Sequence, residues 1–531
     1  MTLFLVLIAA IILICVWLNN LSFRIGIPTL LAFILLGVIF GNNGLIPIHL
    51  EDQEFAKDTC TAALIFIMFY GGFGTKWDSA KPVAIEAGLL ASIGVFLTAA
   101  LTGVFCHFVL RWGWVESLLL GSVISSTDAA SVFSILRSRK LGMKNNISPL
   151  LEMESGSNDP CSYMLTIVML SIMNGSASGG HIAWMVFAQL FFAAVCGVGI
   201  AKISTILLKR IKFQTDGFDS LFILAIAIAS YAIPDLIGGN GYLSTYIVGI
   251  ILGNTDFKNK KALVSFFDGL TGLMQVLIFF ILGLLAHPAT MHKAILPAIA
   301  VFFALLLFAR PITVVAVLAP FKKYGLKQMK VISFAGLRGA ASIVFAIMAT
   351  TGNELLTKDI FNIVFIIVLI SISLQGSLIP VIAKAADVID EDANVLKTFN
   401  DYAENTEMQF SRLDLAKNGP WNGRPIKDLH LPVSVLIVLV IRNGEKIVPN
   451  GDTVLQEGDC VIMLSRTYED KDTSIEEVTV KSNSKWLGKT LSEYRKSNDY
   501  IVLMIQRGEK NIVPHGNSVL HEGDVLTICR V

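Results

Sequence analysis

Apolar residues run along the chain in stretches of bilayer length from residue 3 to about residue 384, separated by short polar breaks. A helix needs about 20 such residues to cross a bilayer, so hydropathy predicts about 13 spans. They fall near residues 2–19, 27–40, 57–74, 82–110, 115–136, 147–173, 181–208, 217–234, 241–254, 262–286, 293–319, 329–350 and 360–383. The first has no basic segment and no small-residue cleavage site before residue 20, so it is expected to remain as a helix. After Ala385 the composition turns to Asp, Glu, Lys and Asn. From about Trp421, short apolar runs alternate with turn signals, as in residues 433–442 followed by Asn443-Gly444, which predicts a soluble β-rich region.

That second region repeats itself. WNGRPIKDL (421–429) recurs as WLGKTLSEY (486–494), and RNGEKIVPNGDTVLQEGDCVIML (442–464) as QRGEKNIVPHGNSVLHEGDVLTI (506–528). The period is about 65 residues, so the tail is two copies of one module. In each copy G-E-K, V-P-x-G and E-G-D mark successive turns, with glycine supplying the positive φ that tight turns need. The expected organisation is a transmembrane domain over 1–385, a linker over 386–408, and modules over 409–470 and 471–531.

Composition agrees with the pattern. Of 531 residues 54% are hydrophobic and 16% charged, and the mean hydropathy is +0.67, which places the chain in a membrane. Basic residues cluster on alternate loops: Arg137, Arg139, Lys140 and Lys144; Lys209, Arg210 and Lys212; Lys258, Lys260 and Lys261; Lys322, Lys323, Lys327 and Lys330. The positive-inside rule makes those loops cytoplasmic. An odd number of spans then puts the N-terminus outside and the tail in the cytoplasm. A net charge of +1 gives no reason to expect a nucleic-acid partner. The seven cysteines (15, 60, 106, 161, 196, 460 and 529) never stand in C-x-x-C spacing, which argues against a disulfide framework or a zinc site.

Ionisable residues inside spans cost roughly 2.5–3.5 kcal/mol each on insertion scales, so each is a functional hypothesis. Here they cluster in three motifs: Ser125-Ser126-Thr127-Asp128-Ala129-Ala130-Ser131, Glu154-Ser155-Gly156-Ser157-Asn158-Asp159-Pro160 and Gly336-Leu337-Arg338-Gly339-Ala340-Ala341-Ser342. On one helix, Glu154 and Asn158 share a face while Ser155 and Asp159 share the adjacent one. Arg338, flanked by small residues that admit another helix, is the expected partner of Glu154. That pairing leaves Asp159 without a fixed cation. A desolvated carboxylate without a permanent counter-charge can hold a proton or trade it for Na⁺ or K⁺, and competition at one site couples the two fluxes one for one.

D-A-A-S in the fifth span is echoed by G-A-A-S in the twelfth, an odd number of spans away. The two insert in opposite orientations, as inverted repeats with broken helices meeting at the midplane do. An opened backbone at Thr127 would offer a carbonyl to a cation, and Asp128 and Arg338 would neutralise the exposed helix ends. The bland alternative is that in-span acids are interhelical glue, and that Arg310, before Pro311, is a helix-end residue at a kink.

STDAAS, ESGSNDP and GLRGAAS, with LLAFILLGVIFG in the second span and GNGYLSTYIVGIILGN in the ninth, resemble the monovalent cation:proton antiporter family. The branch they resemble is that of cell volume regulation protein A, the potassium/proton antiporters with a TrkA-C tail. The tail modules are similar to the C-terminal subdomain of regulators of potassium conductance, the RCK or TrkA-C type. The resemblance implies an all-α polytopic membrane domain of inverted repeats with crossing broken helices, joined to an α+β cytoplasmic region of two TrkA-C-like modules. It also implies a homodimer, elevator-like alternating access and electroneutral exchange of K⁺, ahead of Na⁺, for H⁺. Asp159 would bind cation and proton, supported by Asn158, Ser155, Thr127 and Asp128, with Glu154 and Arg338 as a stabilising ion pair. Asn158 stands where electrogenic relatives carry a second aspartate.

No resident cofactor or metal is implied, although paired modules of this type bind a regulatory nucleotide such as cyclic di-AMP in several systems. In one departure, several relatives carry a carboxylate on the third span where this chain has Phe69-Tyr70-Gly71-Gly72. The rivals are a ligand-gated potassium channel, which would need a T-V-G-Y-G filter that the sequence lacks, and a transport-derived sensor. An enzyme is not expected, since no H-E-x-x-H, P-loop or nucleophile constellation occurs.

Overall fold

The computed structural model describes residues 9–17, 29–41, 52–138, most of 141–390 and most of 408–530. The chain divides into two compact units, Met1–Ala403 and Glu404–Val531. The turns expected at Asn443-Gly444 and Gly508-Glu509, most of the expected linker, and the basic residues Arg139, Lys140, Lys212 and Lys258 lie outside the described residues.

The first unit is helical: α1 (residues 9–17), α2 (Thr29–Phe40), α3 (Gln53–Gly74), α4 (Trp77–Leu110), α5 (Trp114–Val123), α6 (Ala129–Ser138), α7 (Ile147–Met173), α8 (Gly179–Arg210), α9 (Phe218–Leu236), α10 (Gly241–Gly253), α11 (Lys260–Leu284), α12 (Met291–Phe321), α13 (Leu326–Phe334), α14 (Ala340–Thr350) and α15 (Ile360–Ala385). A two-residue antiparallel ladder, β1 (Gly142–Met143) on β2 (Ile389–Asp390), accompanies them. Helices α4, α8, α9, α11, α12 and α15 contain apolar stretches long enough to cross a membrane. In hydrocarbon the helix is favoured because it satisfies its own backbone groups.

Two predicted spans are each split. Ile124-Ser125-Ser126-Thr127-Asp128 separates α5 from α6, and Ala335-Gly336-Leu337-Arg338-Gly339 separates α13 from α14. The first break is rich in side chains that compete for backbone hydrogen bonds, and the second carries two glycines that weaken a helix. Elsewhere glycine draws helices together. A Cβ on Gly72 of α3 would stand 3.2 Å from the Cα of Gly249 of α10, so only hydrogen at both positions permits that approach.

The second unit holds two four-stranded antiparallel sheets with one topology. Strands β3 (Met408–Asp414), β4 (Val435–Arg442), β5 (Glu445–Ile447) and β6 (Cys460–Arg466) run in the order β3-β6-β4-β5. Strands β7 (Ser474–Thr479), β8 (Tyr500–Arg507), β9 (Lys510–Ile512) and β10 (Val525–Arg530) run in the order β7-β10-β8-β9. A short helix, Leu491–Tyr494, makes the region α+β. The E-G-D turns take the expected positive φ, +82° at Gly458 and +87° at Gly523. Each copy also closes an ion pair that periodicity did not predict: Arg442 on Asp459 and Arg507 on Asp524, both bidentate at 2.7–2.8 Å.

Candidate functional site

The two breaks meet. The Asp128 N–H donates to the Leu337 carbonyl at 2.8 Å, tying one unwound segment to the other through the main chain. Gly339 makes the approach possible, since a Cβ there would collide with the Asp128 side chain. Asp128 in turn accepts from the Ser131 N–H at 3.2 Å and the Ser131 hydroxyl at 2.5 Å, capping the start of α6, where a negative charge is favoured. Arg338, fully buried, donates its N–H to Ser371 Oγ at 3.0 Å and its guanidinium to the Ser126 carbonyl, which the break has freed.

Helix α7 lies along the first break and reads it residue by residue. The Ser155 hydroxyl donates to the Thr127 carbonyl at 2.8 Å and accepts from the Ala129 N–H at 2.9 Å. The Asn158 amide donates to Thr127 Oγ1 at 2.5 Å, and the Ser126 hydroxyl donates to Asp159. Asp159, Asn158, Ser155, Thr127 and Asp128 therefore stand together. The next residue, Pro160, has no N–H to give to the preceding turn, while its own carbonyl accepts from the Asn240 amide at 2.8 Å.

The ion pair is not the expected one. Glu154 contacts Arg310, with Oε1 2.6 Å from Nη2 and the two side chains 1% and 3% exposed. Arg338 is already committed to the Ser126 carbonyl. Arg310 reaches Glu154 past Gly336, where a Cβ would stand 2.8 Å from its Nε. The glycine two residues before Arg338 thus admits a different arginine. Arg310 also follows a π-helical turn, Leu305–Ala309, which resets the face it presents.

A cavity of about 380 Å³ opens beside the crossover, towards the end of the bundle where α3 finishes and α7 begins. Its carboxylates are Asp128, Asp159, Glu152 and Asp268, and among the described residues lining it none is basic. Nor does Asp159 make an ion pair among the described residues. Sequence reasoning missed Asp268 and Glu152. Asp268 interrupts the apolar run of α11, and the cost of in-span charge was the signal that could have found it. The Tyr70 hydroxyl, on the helix where a carboxylate was expected and absent, donates to Asp268 at 3.1 Å.

Residues 8–385 match the family described as sodium/hydrogen exchanger, transmembrane, and residues 410–465 and 475–529 each match the TrkA-C domain. The chain is 32% identical over 439 residues to the K(+)/H(+) antiporter NhaP2 of Shewanella baltica (strain OS223), covering 82% of this chain and 76% of that protein. To the K(+)/H(+) antiporter NhaP of Alkalimonas amylolytica it is 31% identical over 457 residues, covering 85% and 79%. Among solved structures, the sodium proton antiporter MjNhaP1 from Methanocaldococcus jannaschii at pH 8 superposes with a TM-score of 0.61 at 22% identity, covering 70% of this chain and 99% of that one, so the two share a fold.

Proposed function

Because this chain belongs to the sodium/hydrogen exchanger family, we propose that it is a secondary active antiporter exchanging K⁺ or Na⁺ for H⁺, with Asp159 as the carboxylate both ions compete for. The observation that carries this reading is an acid that has no partner cation among the described residues, in an acidic cavity. Both arginines near the crossover are engaged elsewhere, Arg310 by Glu154 and Arg338 by the Ser126 carbonyl. Among the described residues Asp159 keeps only the Ser126 hydroxyl, a neutral donor that a cation can displace. A cavity with one sign of charge in low-dielectric walls concentrates cations, and the site can bind either a proton or a dehydrated alkali ion, not both.

Exchange is one for one and electroneutral, because Asn158 contributes an amide beside Asp159 where a second acid would bind a second proton. Asp159 is neutral when loaded with either ion, so each loaded form changes its exposure without a bare carboxylate facing lipid. The inverted broken helices, tied at Asp128 and Leu337, supply the frame for alternating access. The two TrkA-C modules form a cytoplasmic regulatory tail, with a nucleotide such as cyclic di-AMP as the effector class and a homodimer as the assembly; the match of both repeats to the TrkA-C domain supports the regulatory role.

The test is proton flux reported by a pH dye in vesicles holding the purified chain, with K⁺ or Na⁺ added. Wild type should move protons only when a cation is supplied, and Asp159→Asn should not. Cation-independent flux, or an Asp159→Asn variant that transports as wild type does, would refute the proposal.

A further inference from the structure

Past its opening Lys260-Lys261, helix α11 is apolar except for a narrow stripe. Asp268, Thr271 and Gln275 recur at three- and four-residue spacing, so they share one face, and all three line the cavity that contains Asp159. Asp268 is exposed there and accepts from the buried Tyr70 hydroxyl. Thr271 is 8% exposed, and its hydroxyl has no hydrogen-bond partner among the described residues. Threonines in helices normally return that hydrogen to the carbonyl one turn back, as Thr102, Thr166 and Thr350 do here. Thr271, on the cavity wall, leaves a buried oxygen without that bond instead. Such a group is costly unless something fills its place.

The geometry points to a second monovalent-cation station on the cavity wall, built from the Asp268 carboxylate and the Tyr70 and Thr271 hydroxyls, at which a partly hydrated K⁺ or Na⁺ pauses before reaching Asp159. The donors are all oxygen and carry a single negative charge, which suits an alkali ion better than a divalent one. Tyr70 lies roughly 6 Å along the axis from the end of α3, whereas Asp159 lies roughly 18 Å from the start of α7, so the station is nearer the mouth. A carboxylate absent from the third span is thus supplied from α11, with Tyr70 holding it from the third.

This inference rests on the exchange reading, and the test separates the two. In vesicles with a pH dye and K⁺ titrated, Asp268→Asn should raise the half-saturating K⁺ concentration by about tenfold, the loss of one near charge in a wet site, leaving the maximal rate and pH profile near wild type. Asp268→Glu should restore most of the affinity. Thr271→Val, nearly isosteric and safe for folding, should raise half-saturation several-fold by itself. Tyr70→Phe, which removes one neutral oxygen but leaves the carboxylate, should raise half-saturation by less than Asp268→Asn does. An unchanged half-saturation in Asp268→Asn and Thr271→Val would overturn the station. So would a Tyr70→Phe variant as impaired as Asp268→Asn, which would make the pair an interhelical tie. Wild-type protein without K⁺-dependent flux would overturn the exchange reading and the station with it.

Discussion

Replacing Arg310 with methionine would strand the Glu154 carboxylate in a site where only 1% of its side chain is exposed. Opposite unit charges 2.6 Å apart attract by about 6 kcal/mol at an effective dielectric constant of about 20. Desolvation offsets much of this in the intact pair, but removing one partner of a buried pair typically costs about 3–5 kcal/mol, because the survivor's charge is left uncompensated. Here the contact is close but poorly aligned, since neither Glu154 Oε1 nor Arg310 Nη2 makes a hydrogen bond of ordinary geometry. The lower end, about 3 kcal/mol, is therefore expected for Arg310→Met. The assay is a double-mutant cycle on thermal unfolding in detergent, comparing Arg310→Met, Glu154→Gln and their combination, then repeating it with Arg338→Met. The double variant Glu154→Gln/Arg310→Met should recover about 2 kcal/mol of what the singles lose together. Coupling of Glu154 to Arg338 that equals or exceeds its coupling to Arg310 would refute the assignment.

Two further expectations concern the crossover and the tail. Gly339→Ala should abolish transport in a protein that still inserts, because the added methyl must push Asp128 from the α6 terminus, whereas Gly88→Ala, with open space around it, should transport normally; the vesicle flux assay decides. In the tail, the guanidinium hydrogen bonds from Arg442 and Arg507 hold Asp459 and Asp524 below the usual carboxylate value of 3.8. A group whose folded value is depressed contributes stability that is complete at neutral pH and is lost as pH falls through the folded value. Far-UV circular dichroism on acidification should therefore show both modules steady above about pH 5 and weakening below about pH 4. The acid-dependent step should vanish in Asp459→Asn/Asp524→Asn, and weakening that begins near neutrality would contradict the assignment.

Much of this was legible in the chain because the physics is local. A break in a span announces itself where Ser, Thr, Asp or Gly replaces helix formers, as at residues 124–128 and 335–339. The tail's turns show in E-G-D because only glycine sits easily at +82° and +87°. Which arginine meets Glu154 is a different kind of fact. It depends on the space above Gly336 and on a π turn before Arg310, and neither leaves a periodic trace. The Arg442–Asp459 and Arg507–Asp524 clasps join residues 17 apart across a sheet, beyond the reach of motif spacing. Asp268 was within reach: an acid in an apolar helix is a signal by itself, and Tyr70 donating to it places it on the cavity wall.

The hydrogen bond from Asp128 N–H to the Leu337 carbonyl has a consequence for how such a transporter diversifies. It joins main chain to main chain, so no side chain need be conserved to keep it, beyond the small residue at Gly339 that lets the strands of backbone close. The scaffold of the crossing and the chemistry hung on it are therefore separately heritable. Side chains such as Ser155, Asn158 or Tyr70 can be exchanged one at a time while the frame that holds them remains intact.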